Sequence, residues 1–468
     1  DTVVVDTVAY DGRSSTAVST TLSGLSGGVS YDYVVAARSS AGEGARSAAL
    51  SVSTSPPAPG SLASVSQTTS SITLSWSAPV VTTGSAVTGY KLYIDDGSSG
   101  DPSAEVSCGG AALDTTCTAS GLTGGVSYSF EVSALSTNGE SVTSSVLTQS
   151  TAPAVVAASG MVFSSVAMTS MVLTWSAPSG ETPTGYIVYR DDGDSTAMPT
   201  PSIVAFEGDA LTTTVDGLTG GTTYTYMIAA LSGSGVGDVS GESAQSTTPA
   251  SPLDLSSVSQ TSTSISLSWS ASVVSGGSAV TSYQVYRNDG SSAEASLLGT
   301  AAHTTADGST TTATLSGLSA GMLYSFAVSA VSDAGEGELS SVLAQSSAPG
   351  APASGPTSVH QTSASISLSW SAPASDGDSG ADATGYRLYN VAGEAPALLF
   401  EGAETAYEQV ELSAGTSYSY AVSAVSGAGE SPSTSALVQY TAPAAPTGLV
   451  SSAWTTTGFA VTWVAPAV

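Results

Sequence analysis

Side chains that could do catalytic chemistry are few and scattered along this chain. The chain has two histidines, His303 and His360. A zinc site or a Ser-His-Asp nucleophile needs several partners at defined positions, and neither histidine has them in the sequence. We therefore interpret both as surface residues and predict no enzymatic activity and no cofactor.

Acidic turns are the second place where chemistry could reside. Asp95 and Asp96 form one, Asp191, Asp192 and Asp194 form the next, and Asn288 with Asp289 forms a third. Calcium binds clustered carboxylates, but Asp-Gly also forms hairpin turns without any metal. No loop matches the spacing of a dedicated calcium site. Turn formation is the favoured interpretation, and calcium binding is the alternative.

The chain has two cysteines, Cys108 and Cys117, on either side of a turn that contains Gly109 and Gly110. We predict a disulfide here, which would add about 2–3 kcal/mol in the chain-entropy model and would indicate an oxidising compartment. Two free thiols in a cytosolic protein are the alternative.

Glycosylation is predicted to be O-linked. Asn138, Asn288 and Asn390 all lack the Asn-x-Ser/Thr sequence that N-glycosylation requires, whereas Ser and Thr are abundant. A plain low-charge surface composition is the alternative explanation. The candidate acceptors lie beside Ala-Pro or Pro at recurrent junctions: Thr151, Thr248, Ser347 and Thr441.

Charge excludes several classes of partner. Asp and Glu number 37 against 7 Lys and Arg, which gives a net charge of −30, and Lys91 is the one lysine. Such a chain repels nucleic acid and anionic membranes. No apolar run reaches the length of a transmembrane helix. No secretion signal stands at residue 1, which is expected of a mature chain or a fragment.

A recurrent phrase organises the chain. Ser71–Pro79 reads Ser-Ile-Thr-Leu-Ser-Trp-Ser-Ala-Pro, and its apolar and polar residues alternate, which predicts a strand with one buried face. Related phrases occupy Met171–Pro178, Ser264–Ala271, Ser365–Pro373 and Gly458–Pro466. A repeat of this length indicates a tandem array. We predict that its tryptophans anchor the cores: Trp76, Trp175, Trp269, Trp370 and Trp463.

The units between these phrases resemble the fibronectin type III family. The marks are the buried Trp strand, a Tyr90–Tyr93 type third strand, Leu122 followed six residues later by Tyr128, and a Gly139-Glu140 turn. The resemblance implies an all-β fold of tandem seven-stranded antiparallel β-sandwiches with Greek-key topology. It also implies tyrosine corners at Tyr31, Tyr128, Tyr224, Tyr324 and Tyr418.

Domain boundaries follow from the repeat. We predict four full modules at 56–151, 152–248, 249–348 and 349–442, hereafter the first to fourth full modules. Residues 1–55 carry the later strands of one partial module. Residues 443–468 carry the first two strands of a separate partial module. The linkers are short and rich in proline, which predicts a semi-rigid string. Neither end is expected to be a natural terminus: either the array is longer, or residues 443–468 of one molecule complete residues 1–55 of the next.

The leading functional hypothesis is a non-enzymatic extracellular structural protein. A semi-rigid rod of such modules would form or decorate a surface filament or matrix, with end-to-end self-association and attached glycans. The first alternative is an adhesin or receptor ectodomain that binds a protein or carbohydrate. The Gly-Glu turns carry no Arg-Gly-Asp motif, so integrin-type binding is unsupported. The second alternative is a set of spacer modules from a secreted carbohydrate-active enzyme.

Overall fold

The computed structural model describes residues 11, 18–95, 101–191, 203–288, 301–374 and 382–466. It contains two compact units. One unit comprises Asp1–Ser164, Val172–Val215 and Tyr224–Ala244, and the other comprises Ser165–Met171, Asp216–Thr223 and Gln245–Val468. Regular structure in the described residues is almost entirely β, as the alternating sequence pattern predicts.

The N-terminal segment forms two small hairpin-like pairs, β1 with β4 and β2 with β3. Leu50 and Val35 are 63% and 74% exposed, so the described part of this segment has little core of its own. Its strands are β1 Ser30–Tyr33, β2 Ala36–Ser39, β3 Gly42–Arg46 and β4 Leu50–Ser53.

The first full module is a two-layer β-sandwich. Its smaller sheet has the order β5-β6-β9, and its larger sheet has the order β11-β10-β7-β8 with β12 also paired to β10. The strands are β5 Gly60–Gln67, β6 Ser71–Ser77, β7 Val87–Ile94, β8 Ala104–Val106, β9 Thr116–Ser120, β10 Ser127–Ser136, β11 Gly139–Glu140 and β12 Leu147–Ser150.

The second full module has the same division into sheets of three and five strands. A short 3₁₀ helix, Ala158–Gly160, precedes its first strand. Its strands are β13 Val162–Ser164, β14 Ser170–Thr174, β15 Gly185–Arg190, β16 Ile203–Gly208, β17 Thr212–Asp216, β18 Thr223–Ser232, β19 Gly235–Val236 and β20 Ser243–Ser246.

The third and fourth full modules repeat both sheets. The third has β21 Leu253–Gln260, β22 Ser264–Ser270, β23 Val280–Arg287, β24 His303–Thr304, β25 Thr312–Ser316, β26 Leu323–Ser332, β27 Gly335–Glu336 and β28 Leu343–Ser346. The fourth has β29 Ser354–Gln361, β30 Ile366–Ser371, β31 Gly385–Asn390, β32 Ala397–Gly402, β33 Ala406–Gln409, β34 Ser417–Ser426, β35 Gly429–Glu430 and β36 Leu437–Tyr440.

The alternation predicted for the recurrent phrase is confirmed in the core. On β6, Ile72 and Leu74 are fully buried and Trp76 is 6% exposed, while the residues between them face outward. Trp76 meets Tyr90 of the opposite sheet edge-on, with ring centroids 5.4 Å apart. Trp175, Trp269 and Trp370 are equally buried and make the same edge-on contact with a tyrosine.

Trp463 departs from the prediction. It lies on the last strand and is 59% exposed. The reason is geometric: in the described residues β37 Thr447–Ser452 pairs with β38 Ala460–Val464, and no second sheet covers this hairpin. Trp463 is therefore not a core anchor in this structure.

Tyrosine hydroxyls fasten the turn that precedes the longest strand. The Tyr128 hydroxyl accepts the Thr123 N–H at 2.9 Å, five residues earlier in the chain. Tyr31, Tyr324 and Tyr418 accept the equivalent amide at 2.9–3.0 Å. These four contacts are the tyrosine corners that the sequence resemblance implies.

Replacing Trp269 by alanine should destabilise the third full module by about 3–5 kcal/mol, because a large buried side chain is removed from a closed core. Calorimetry of the full chain should show one unfolding transition at a much lower temperature. Trp463→Ala is the matched control and should change the free energy of unfolding by less than about 0.5 kcal/mol. Equal effects of the two substitutions would contradict this description of the cores.

Candidate functional site at the module joints

The described residues contain no group of three or more His, Cys, Asp or Glu side chains that could hold a metal ion. His303 is half-buried on β24 and His360 is exposed on β29, in separate modules. The feature that recurs with defined geometry lies elsewhere, at the joints between consecutive modules.

One glycine carbonyl forms the centre of each of the first three joints. Gly28 has a φ of +68°, and its carbonyl oxygen accepts the Gly84 N–H at 3.0 Å and the Thr82 N–H at 3.2 Å. In the next joint the Gly125 carbonyl accepts the Glu181 N–H at 2.6 Å, and in the following one the Gly221 carbonyl accepts the Ser275 N–H at 2.9 Å. Positive φ favours glycine, so the residue type at this loop position follows from the backbone.

A second glycine faces the first across each joint. A methyl group added to Gly84 would lie 2.6 Å from the Gly28 carbonyl carbon. At Gly180 it would lie 2.5 Å from the Gly125 oxygen, and at Gly277 it would lie 2.3 Å from the Gly221 oxygen. These distances leave no room for a side chain, so the two backbones approach as closely as glycine allows. In the fourth full module, residues 375–381 of the corresponding loop lie outside the described residues.

The hairpin before the last strand of the following module adds another contact. The Asn138 side-chain amide donates to the Ser53 carbonyl at 2.5 Å, and Thr69 donates to Asp238. Later in the chain, a methyl on Gly335 would lie 3.4 Å from the Thr248 side chain, and one on Gly429 would lie 3.5 Å from the Gln260 carbonyl. Two separate contacts resist both bending and rotation better than one hinge point does.

At these joints, the last residues of a module hydrogen-bond the loop that carries the joint glycine of the same module. The N–H groups of Gly28, Gly125 and Gly221 donate at 2.8–2.9 Å to the carbonyls of Ser55, Ala152 and Thr248, where the linkers begin. The same peptide segment therefore bonds the linker through N–H and the next module through C=O. Backbone hydrogen bonds thus couple the linker to the joint, and side-chain bonds such as that from Thr223 to the Gly276 carbonyl add to them.

Matches to known proteins agree with this architecture. The fibronectin type III domain matches residues 56–150, 156–247, 250–346 and 350–440. The chain belongs to the fibronectin type III family. It is 32% identical to exoglucanase B of Cellulomonas fimi over 307 residues, which cover 60% of this chain and 24% of that protein.

Two further relatives have comparable identity. Chitinase A1 of Niallia circulans is 36% identical over 181 residues, covering 36% of this chain and 22% of its own. Endoglucanase B of Cellulomonas fimi is 31% identical over 291 residues, covering 57% of this chain and 25% of its own. The chain thus spans about a quarter of the length of these relatives. Fibronectin type III modules make up most of this chain, so the matched stretches are largely built from them.

The predicted O-glycan acceptors are buried inside the fibronectin type III modules. Thr151, Thr248, Ser347 and Thr441 are 0–4% exposed. The Thr151 hydroxyl donates to the Thr123 carbonyl at 2.8 Å and accepts the Val126 N–H at 3.2 Å, which fixes the joint loop. Ser347 and Thr441 make the same pair of bonds, and Thr247, the neighbour of Thr248, makes them in the second full module. These hydroxyls are therefore buried where the sequence suggests a linker, because the chain still packs inside at this point.

Cys108 and Cys117 are joined by a disulfide, and the described residues contain no free cysteine. Cys117 lies on β9 with its side chain in the core of the first full module, and Cys108 lies in the exposed loop before it. The bond therefore anchors this loop to the sandwich.

The acidic turns serve the sandwich rather than an open surface. The side-chain oxygens of Asp95, Asp191 and Asn288 accept N–H groups of Ser129, Thr225 and Ser325 at 3.0–3.1 Å, and all three acceptors are about 5% exposed or less. The other acidic residues of these turns, which the calcium alternative would also need, lie outside the described residues: Asp96, Asp192, Asp194 and Asp289.

The recurrent Glu of the last hairpin is a hydrogen-bonded residue, not a freely solvated one. Glu430 accepts the Tyr389 hydroxyl at 2.8 Å, bonds Ser423, and pairs with Arg387 at 2.8 Å. Burial alone would raise its pKa, but the bonds from Ser423, Tyr389 and Arg387 outweigh it and lower that pKa. Hydrogen bonds from Ser133 and Tyr93 lower the pKa of Glu140 in the same way. The sequence signal for these clusters is the Tyr and Ser that recur opposite each Glu.

Glu430→Gln should make the fourth full module less stable near neutral pH and remove part of its acid sensitivity. Because folding lowers the pKa of Glu430, its contribution is present above the unfolded value of about 4.5 and is lost as pH falls through the lower folded pKa. Unfolding temperatures of the variant and the natural chain should therefore converge in acid. Exposed Glu394→Gln serves as control. A difference between variant and natural chain that stays constant with pH would refute this role of Glu430.

Proposed function

We propose that this chain is a non-catalytic extracellular spacer, in which fibronectin type III modules are held in order by stiff joints. The observation that carries the proposal is the recurrence of one joint: the carbonyls of Gly28, Gly125 and Gly221 each bond the next module. A chain that only tethered its neighbours would need no such matched contacts, since a flexible linker suffices.

The relatives support a spacer in a protein that acts on polysaccharide. An exoglucanase, an endoglucanase and a chitinase share these modules over a quarter of their own length, which leaves room in them for other parts. In this proposal the modules set the distance and orientation between other parts of such a protein.

An extracellular location follows from the same proposal. The Cys108–Cys117 disulfide suits an oxidising compartment. Across the described residues, no helix has the length and apolarity needed to cross a membrane. O-linked sugars remain part of the proposal only on exposed hydroxyls, since the four junction hydroxyls are buried.

A filament or matrix rod is the second candidate. It is favoured by the same joint, because identical contacts between successive modules can be repeated without limit, either in a longer chain or by end-to-end association. Electron microscopy of the native material separates the candidates: filaments support the structural rod, and discrete particles support the spacer.

Gly180→Ala should loosen the joint between the first and second full modules, since the added methyl would meet backbone atoms of Gly125. Spin labels on Val65→Cys and Leu211→Cys, exposed positions in the two modules, report the distance distribution. We expect a narrow distribution for the natural joint and a broader one for Gly180→Ala. Gly233→Ala is the control, because no atom lies within 4 Å of its added methyl. An equally broad distribution in all three chains would exclude stiff joints.

A further inference from the structure

The second full module carries an apolar patch on the outer face of its larger sheet. Ile187 and Tyr189 flank the buried Val188 on β15, so both point away from the core. Met227 and Ala229 flank the buried Ile228 on β18 and stand opposite them, in the pairs Ile187↔Ala229 and Tyr189↔Met227.

Two valines extend the patch to the neighbouring strands. Val204 on β16 stands opposite Tyr189 and is 56% exposed, and Val236 on β19 is 55% exposed. The apolar patch, defined as Ile187, Tyr189, Val204, Met227 and Val236, therefore crosses four adjacent strands, and Ala229 is fully buried beneath it.

The equivalent face of the first full module is polar and charged. Lys91 stands at the position of Ile187, Glu131 at that of Met227, Ser133 at that of Ala229 and Glu140 at that of Val236. There Glu140 bonds Tyr93, Ser133 and Lys91. The third and fourth modules keep the same acid and serine, as Glu336 with Ser329 and Glu430 with Ser423.

Three modules thus show that the fold does not require an apolar surface here. The second module has lost the carboxylate, the serine hydroxyl and the basic or amide side chain together, while its tyrosine remains. The patch is smaller than a typical protein–protein interaction surface, and the observation that singles it out is its apolar character where the same sheet is polar in the other modules.

We propose that the apolar patch binds an insoluble neutral glucan, with a sugar ring lying on Tyr189 and the aliphatic side chains around it. This inference rests on the proposed spacer function and names the surface through which the spacer touches its substrate. Pyranose rings present flat C–H faces to which an aromatic ring and aliphatic groups are complementary. The patch residues themselves carry no charge, which suits a neutral polymer. The exposed Glu207 on the edge strand β16 stands opposite Ile187 and borders the patch.

A second copy of the chain fits the patch less well. Four strands spaced about 4.8 Å apart and two alternate residues along each give a face of roughly 15 by 10 Å, well below the roughly 800 Å² that each partner contributes to a stable complex. The net charge of −30 also opposes self-association. A single sugar ring, by contrast, fits within a face of this size.

The test exchanges the patch for the residues of the first full module. In the full chain, I187K/M227E/A229S/V236E introduces side chains that the same sheet positions already accept elsewhere. Binding to microcrystalline cellulose should be measurable for the natural chain and insensitive to salt, and it should fall roughly tenfold or more in the variant, the equivalent of about 1.4 kcal/mol. Q284K/V342E, which adds one charge of each sign to the third module and uses the exposed Val342 for the acid, is the matched control and should bind as the natural chain does.

Several results would overturn the inference. The natural chain could fail to bind cellulose, or the four exchanges could leave binding unchanged. Binding to chitin but not to cellulose would exclude a glucan as the partner. Sedimentation that shows a dimer abolished by the exchanges would assign the patch to self-association. None of these results alters the distance distributions across the Gly125–Gly180 joint, so failure of this inference and failure of the spacer proposal are distinguishable.

Discussion

A hydrogen bond from the following module to one glycine carbonyl is the constraint on which the order of these modules depends. The carbonyl of Gly28, Gly125 or Gly221 can reach its partner only because positive φ turns it outward and because the opposing residue is also glycine or lies beside one. A single bond of this kind contributes only about 1 kcal/mol. Its value lies in geometry, since the close backbone approach admits few relative orientations.

The joint depends in turn on the interior of each module. Thr151 and its equivalents fix the loop that bears the glycine, and the tyrosine corner fixes the turn just before it. The strand that supplies Tyr128 also packs Phe130 and Val132 against Trp76. Core packing is therefore connected to the joint through a short series of hydrogen bonds. A module with a damaged core would lose stability and would also lose its contact with the next module.

The fold could be predicted from local patterns because the alternation that indicates a strand is contained within a few residues. Ile72, Leu74 and Trp76 alternate with polar residues, and that alternation matches the observed burial. The joint could not be predicted in this way, since Gly28 and Gly84 belong to different modules and glycine is common in every loop. Thr151 was misplaced for a related reason: Ala-Pro after it suggests an exposed linker, whereas the last strand is still packed there. Trp463 lies in the same recurrent phrase but is exposed, because burial needs a second sheet as well as the alternating pattern.

Repetition within one chain separates what the fold requires from what a particular module does. The joint glycines, the loop-fixing hydroxyls and the core tryptophans recur because each solves the same structural problem in every module. Folding does not fix the residues on the outer face of the larger sheet. The first and fourth modules have a polar cluster there around Glu140 and Glu430, whereas the second module has Val236 at that position and still forms the sandwich. Variation is therefore most informative on this face. A side chain that differs there, on a scaffold whose other modules show the polar alternative, reports a requirement imposed from outside the module rather than by its folding.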